Sequence, residues 1–174
     1  MRENQDGQVV MYQEESDYPA IEVVAPNAYY ANLLFEDYAG SNGEMTAFAQ
    51  YEYHYINHCH YDYRIARHLR NIASVERRHM EILGELICLL GGFPVYRSNL
   101  YHENSYWNAK RIDYGRNIEE QLKLDLEKEY RCICNYNIHI KLIDDPYIKQ
   151  MLERIVKDEY VHTTVLQTLI RGDC

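Results

Sequence analysis

Only two of the eight histidines in this sequence have a glutamate three positions before them, and both lie in helical patterns. The first is Glu76-Arg77-Arg78-His79, set among Ile72, Val75, Met80, Leu83, Leu86 and Ile87. The second is Glu159-Tyr160-Val161-His162, set among Leu152, Ile155, Val156, Leu166 and Leu169. On a helix, residues three apart lie on one face, a turn apart. A carboxylate and an imidazole presented that way can reach the same metal ion. One such pair is a weak signal, since surface Glu–His pairs arise by chance. Two pairs on core-facing positions of one small chain constrain it far more. A helical bundle that holds two metal ions takes one such pair from each of two helices.

The rest of the composition narrows the class. At 174 residues the chain is long enough for one domain with its own core. No run approaches the roughly 18 apolar residues of a membrane span, and mean hydropathy is −0.54, so no membrane role is expected. The first 17 residues are polar and acidic and lack an apolar signal core, which makes the cytoplasm the expected compartment. A net charge of −9 argues against nucleic acid as a partner and is compatible with drawing in cations. The five cysteines are odd in number and form no C-x-x-C, which fits reduced thiols and excludes a four-cysteine iron site.

Along the chain, residues 1–26 read as a tail, partly disordered or strapped to the domain, and residues 27–174 as the folded unit. A helical pattern begins at Asn27 and meets Gly40-Ser41-Asn42-Gly43, a break or a distorted continuation. Four long helices are expected near 41–60, 64–90, 114–143 and 146–171. Gly91-Gly92 ends the second, and Asp145-Pro146 starts the fourth. Residues 91–112 are too long for a hairpin loop and suit a crossover between two helical pairs. Each half is then helix–turn–helix with the Glu-x-x-His on its second helix.

If the halves are equivalent, the first helix of each supplies one more glutamate. In the first half Glu44 has Ala47, Phe48 and Tyr51 on its face, with Glu36 and Glu52 as competitors. In the second half, Glu129 shares a face with Leu122, Asp125, Leu126, Cys132, Ile133, Tyr136 and Ile140, and Glu127 shares one with Lys123, Leu124, Tyr130, Arg131 and Cys134. The spacing of 32 residues from Glu44 to Glu76 matches Glu127 to Glu159, whereas Glu129 to Glu159 is 30. Turn length can absorb two residues and face identity cannot, so amphipathicity selects Glu129. A Glu-x6-Tyr then recurs, as Glu44/Tyr51 and Glu129/Tyr136. The candidate metal ligands are Glu44, Glu76, His79, Glu129, Glu159 and His162. Four carboxylates balance two divalent ions, and without metal they would repel and stay partly protonated. Oxygen and imidazole donors suit iron or manganese. Glu76 and Glu159 should lie between two metals about 3.5–4 Å apart, with Tyr51 and Tyr136 bonding ligand carboxylates of the opposite half. A metal-bound histidine needs an acceptor on its other ring nitrogen. Asp158 can serve His79; the equivalent residue before Glu76 is Val75, so the two metal positions should differ.

Glu76 through Ile87 with Leu90-Gly91-Gly92 behind it, Tyr38 through Glu44 to Tyr51, and Asp145-Pro146 through Glu153 to His162 resemble the ferritin-like superfamily. The nearest resemblance is to its rubrerythrin and manganese-catalase-like branch, over roughly residues 28–170. That resemblance implies an all-α, up-down-down-up four-helix bundle with a long crossover between its second and third helices. It also implies a dinuclear Fe or Mn centre reacting with peroxide or dioxygen as an oxidoreductase. The sequence departs from rubrerythrin in having no rubredoxin motif. It also has Leu126 and Cys132 where a seventh carboxylate could sit. The alternative is a non-catalytic metal-binding, iron-handling or spore-coat protein, which would make the chain spore-associated. His54, His58, Cys59 and His60 could form a second metal site, but an exposed helix end is the better reading. The 18 tyrosines mostly suit packing and interfaces, and the aromatic helix faces point to a homodimer or larger homo-oligomer.

Overall fold

The computed structural model describes residues 2–3, 9–98 and 106–172. Residues 1 and 4–8, the middle of the expected crossover at 99–105, and residues 173–174 lie outside the described residues. Among the described residues the architecture is all-α apart from a terminal antiparallel pair of two-residue strands, β1 (Arg2–Glu3) and β2 (Val9–Val10). Five α-helices follow: α1 (Ala28–Ala39), α2 (Glu44–His58), α3 (Tyr63–Leu89), α4 (Ile118–Leu142) and α5 (Pro146–Arg171). Among the described residues no helix is long and apolar enough to cross a membrane.

The first bundle helix is interrupted, so α1 and α2 are separate. At Gly43 a Cβ would lie 2.6 Å from the main-chain oxygens of both Glu36 and Asp37, so the chain turns there only because no side chain intervenes. The break is tied down by its own carbonyls. That of Gly40 accepts from the Thr46 hydroxyl at 2.7 Å, and that of Ser41 from the Lys128 ammonium at 3.1 Å. The break makes Glu44 the first residue of α2 and fixes where its side chain enters the bundle.

The other boundaries follow local capping. Asp62, Asn117 and Asp145 each accept a bond from a first-turn N–H, of Ile65, Glu120 and Tyr147 respectively. The third bundle helix begins at Ile118, not at residue 114 as the periodicity predicts. The chain turns at Gly115, whose φ is +61°, and Asn117 takes the cap. Pro146 opens α5 and Gly172, in the left-handed region, closes it.

Short turns pair α2 with α3 and α4 with α5, and the segment between residues 90 and 117 joins the pairs. Residues 44, 51 and 54 meet 136, 129 and 125, so α2 and α4 run antiparallel. His79 meets Asp158 and His162 meets Glu76, so α3 and α5 do too. This is the up-down-down-up order.

Two apolar cores fill the ends. One holds Leu34, Leu83, Ile87, Ile148 and Leu152; the other holds Leu69, Ile72, Leu122, Leu166 and Leu169. Truncating one of these leucines to alanine would cost about 2–5 kcal/mol. Between the two cores lies a layer of buried polar side chains. Upstream, the extended segment before α1 straps the bundle. Tyr18, Ile21 and Val23 pack on the first core, and the Val24 N–H donates to Asp145 at 2.6 Å.

Candidate metal centre

The polar layer is made where α2, α3, α4 and α5 face one another at mid-height. Glu44, Glu76, His79, Glu129, Glu159 and His162 meet there, and each is at most 1% exposed. They form two overlapping sets, and within each set one donor atom per residue lies within 4.8 Å of all the others. The first set is Glu44, Glu76, His79 and Glu159; the second is Glu76, Glu129, Glu159 and His162. Glu76 and Glu159 belong to both. Glu127 points to solvent, 61% exposed and paired with Arg131 at 3.1 Å. The face argument therefore outweighs the spacing argument on α4.

Both histidines turn Nδ1 inward. His79 Nδ1 lies 3.1 Å from Glu159 and 3.5 Å from Glu76. His162 Nδ1 lies 2.9 Å from Glu76 and 3.3 Å from Glu159. The outward Nε2 of His79 donates to Asp158 at 2.9 Å, and that of His162 donates to the main-chain carbonyl of Tyr12, also at 2.9 Å. With Nε2 carrying the proton, Nδ1 presents a lone pair to a metal. The Tyr51 hydroxyl donates to Glu129 and the Tyr136 hydroxyl to Glu44, so each phenol fixes a carboxylate of the opposite half.

Burial pushes Glu44 well above the ordinary carboxylate range, with Glu76 and Glu159 adding to the push. Burial raises Glu129 in the same way, reinforced by Glu159 and Glu76. For Glu76 and Glu159 burial also acts upward, but their facing histidines and the protons on neighbouring carboxyls win, and both are lowered. His79 and His162 are held well above their ordinary value: burial opposes the charge, and the ring of carboxylates overrides it. In the absence of metal the cluster is thus held together by protons. Even so, Glu44 Oε2, both oxygens of Glu76, Glu129 Oε2, Glu159 Oε1 and His79 Nδ1 are buried without a hydrogen-bond partner. Leaving such groups unpaired costs about 1–3 kcal/mol each. Six orphaned atoms, five of them oxygens of four carboxylates and one an imidazole nitrogen, fit two divalent cations in charge and chemistry.

Several groups that support the ligands escaped the sequence reading. Tyr12 acts through a main-chain carbonyl, which leaves no side-chain signature. Asp158 also takes bonds from Arg154 at 2.5 Å, from the Tyr18 hydroxyl at 2.5 Å and from the Glu14 N–H at 2.7 Å. Arg154 stands four residues before Asp158 on the buried face, a readable i,i+4 signal. The Glu-x6-Tyr motif extends by a further histidine in each half: Glu44/Tyr51/His54 and Glu129/Tyr136/His139. Each of these histidines meets a buried aspartate, His54 with Asp125 at 2.9 Å and His139 with Asp37 at 2.6 Å. This corrects the exposed-helix-end reading for His54, which is fully buried. The proposed second cluster disperses: His58 bonds Gln121 at 2.7 Å and the Cys59 thiol turns back to the Ile56 carbonyl. Cys132 is buried beside the centre but in neither set. Burial and the site carboxylates hold its thiol protonated, and it donates to the Asn42 carbonyl at 3.1 Å.

The geometry agrees with what known proteins resemble this chain. A bacterioferritin from Mycolicibacterium paratuberculosis is 29% identical over 129 residues, covering 72% of this chain and 75% of that one. Among solved structures, a manganese catalase from Anabaena superposes with a TM-score of 0.80 at 22% identity, over 93% of this chain and 80% of the other. The bacterioferritin of Mycobacterium tuberculosis superposes with a TM-score of 0.70 at 25% identity, over 86% and 88%. A family model described as the ferritin-like domain matches residues 41–172, which span α2 to α5 and all six converging side chains. The chain belongs to the ferritin-like domain family.

Proposed function

We propose that this protein is a dinuclear oxidoreductase, in which Glu44, Glu76, His79, Glu129, Glu159 and His162 hold two iron or manganese ions that react with peroxide or dioxygen. The observation that carries this reading is the set of six buried, unpartnered donor atoms shared between two overlapping groups. A bound metal pair would supply reversible redox changes and Lewis acidity toward an oxygen substrate. The chain supplies everything else. Glu76 and Glu159, common to both sets, would contribute to holding both ions. Tyr51 and Tyr136 keep Glu129 and Glu44 in place through phenols that burial holds protonated. Asp158 and the Tyr12 carbonyl fix the histidine tautomers, and the two apolar cores seal the layer from water above and below.

The test is metal analysis of protein from its own host, followed by two assays on the loaded protein. Evolution of dioxygen from peroxide without added reductant is expected for catalase-type chemistry. Consumption of dioxygen or peroxide only with added Fe(II) would move the reading to iron handling, which the bacterioferritin likeness favours. Loaded protein inert in both assays would leave a non-catalytic metal-binding role. Tyr61, Tyr63, Tyr130 and Tyr160 stand exposed on helices or their ends and favour a homo-oligomer. Light scattering should therefore give a mass above one chain.

A further inference from the structure

We propose that residues 12–18 of the N-terminal segment are a working part of the metal centre, holding the outward nitrogens of both site histidines, so that displacing the segment unloads the two metal positions separately. The inference rests on the dinuclear reading and adds a control element to it.

His162 directs its Nε2 to the Tyr12 carbonyl, which lies outside every helix, at 2.9 Å. His79 depends on the same segment at one remove. Its acceptor, Asp158, receives four donors, and two of them, the Glu14 N–H and the Tyr18 hydroxyl, belong to the strap. Burial and the Asp158 carboxylate push the Tyr18 phenol up to about 12, so it remains a donor throughout the neutral range. Arg154 locks the arrangement. One guanidinium donates to Asp158, to the Glu14 carbonyl at 2.8 Å and to the Ser16 carbonyl at 2.8 Å, and lies 4.3 Å from the centre of the Tyr18 ring.

A purely covering role would not require these contacts. Ile21 and Val23 already pack on the apolar core, and Val24 is tied to Asp145. The strap therefore divides by function. Residues 21–24 only fasten it to the bundle, whereas Tyr12 and Tyr18, which also pack on the two cores, bond the groups behind the site histidines as well. An extended segment without helical hydrogen bonds of its own opens at lower cost than the helices beneath it. Linkage then runs both ways: docking strengthens metal binding, and metal binding strengthens docking.

The experiment compares Mn(II) binding, by titration under anaerobic conditions, in three proteins: the full chain, a chain lacking residues 1–12, and a Glu14→Pro, Tyr18→Phe double variant. The truncation removes the acceptor of His162 and leaves Glu14 and Tyr18. The double variant removes two donors to Asp158 and leaves Tyr12. Loss of an outer partner weakens a metal about 10- to 100-fold. The full chain is expected to bind two ions. Each altered protein should keep one ion at full strength and bind the other about 10- to 100-fold more weakly. Amide exchange at Glu14 in the full chain should slow when Mn(II) is added. If an altered protein fails to fold, this exchange measurement on the intact chain decides. Two ions bound with unchanged affinity in the altered proteins, or Glu14 exchange indifferent to metal, would overturn the strap's role and leave the dinuclear reading standing. Fewer than two ions on the full chain would overturn the dinuclear reading itself.

Discussion

Around His79 the outward ring nitrogen meets a buried carboxylate, Asp158, while around His162 the same atom meets an uncharged main-chain carbonyl. The candidate ligands of the two halves match one for one, Glu44 with Glu129, Glu76 with Glu159 and His79 with His162, and so do the tyrosines that bond them, Tyr51 with Tyr136. Their supports do not. The residue before Glu159 is an aspartate and the residue before Glu76 is Val75, so only one half can lend a carboxylate to the histidine opposite. A carboxylate partner makes an imidazole more basic and a stronger metal donor. If the centre holds two ions, the repeated motif would supply paired ligands, and their immediate neighbours would make one position bind its ion more firmly than the other. The position carried by His162 should empty first on chelation.

The largest effect that could break this comparison comes from the ligands common to both sides. Glu76→Ala or Glu159→Ala should reduce bound metal from two ions to none by elemental analysis. Retention of one ion would mean that the halves do not share these residues. Next in size, metal-free protein should lose stability as pH rises above the ordinary carboxylate value of 4.5 and again above the ordinary histidine value of 6.5. Glu44 and Glu129 keep protons well above 4.5, and His79 and His162 above 6.5, so the folded state binds more protons than the unfolded chain across this range. Glu76 and Glu159, lowered instead, contribute stability that is lost only as pH falls below 4.5. Loaded protein, whose protons the metals have displaced, should show the opposite slope. Thermal melts of both forms across the range check the sign.

A smaller effect sharpens the comparison. Tyr51→Phe and Tyr136→Phe each unpair one ligand oxygen, at about 1–3 kcal/mol. The two costs in denaturant unfolding should be alike, because the tyrosines match where the histidine supports do not. The smallest effect is the control on α4. Glu127→Ala breaks only a surface pair with Arg131, so stability should move by less than about 0.5 kcal/mol and metal content not at all.

The features read most easily from the sequence were those tied to period. The helical spacing of Glu76/His79 and Glu159/His162, and the buried face of Glu129, placed the six side chains in one layer because an amphipathic helix has little choice of which face to bury. Asp158 was legible as the neighbour of a ligand. The rest depended on contacts that carry no periodic trace. Tyr12 works through its backbone in a segment without secondary structure. The separation of α1 from α2 turned on how closely two carbonyls approach Gly43. The start of α4 moved to Ile118 because a positive φ at Gly115 and the Asn117 cap overrode a hydrophobic pattern that continues upstream. His54 read as a helix-end residue because its partner, Asp125, lies 71 positions away.

The short turns between α2 and α3 and between α4 and α5 bear on the order of folding. Within each hairpin the contacts are local and form quickly, whereas docking the hairpins must close the loop that contains the crossover. Glu44, Glu76 and His79 belong to one hairpin, and Glu129, Glu159 and His162 to the other. Each hairpin alone is therefore a three-donor fragment, and the complete pair of sites exists only after the two have docked. On the dinuclear reading the centre would be completed late, and an ion captured earlier by one hairpin would have three of the four donors of its set, the fourth arriving only on docking.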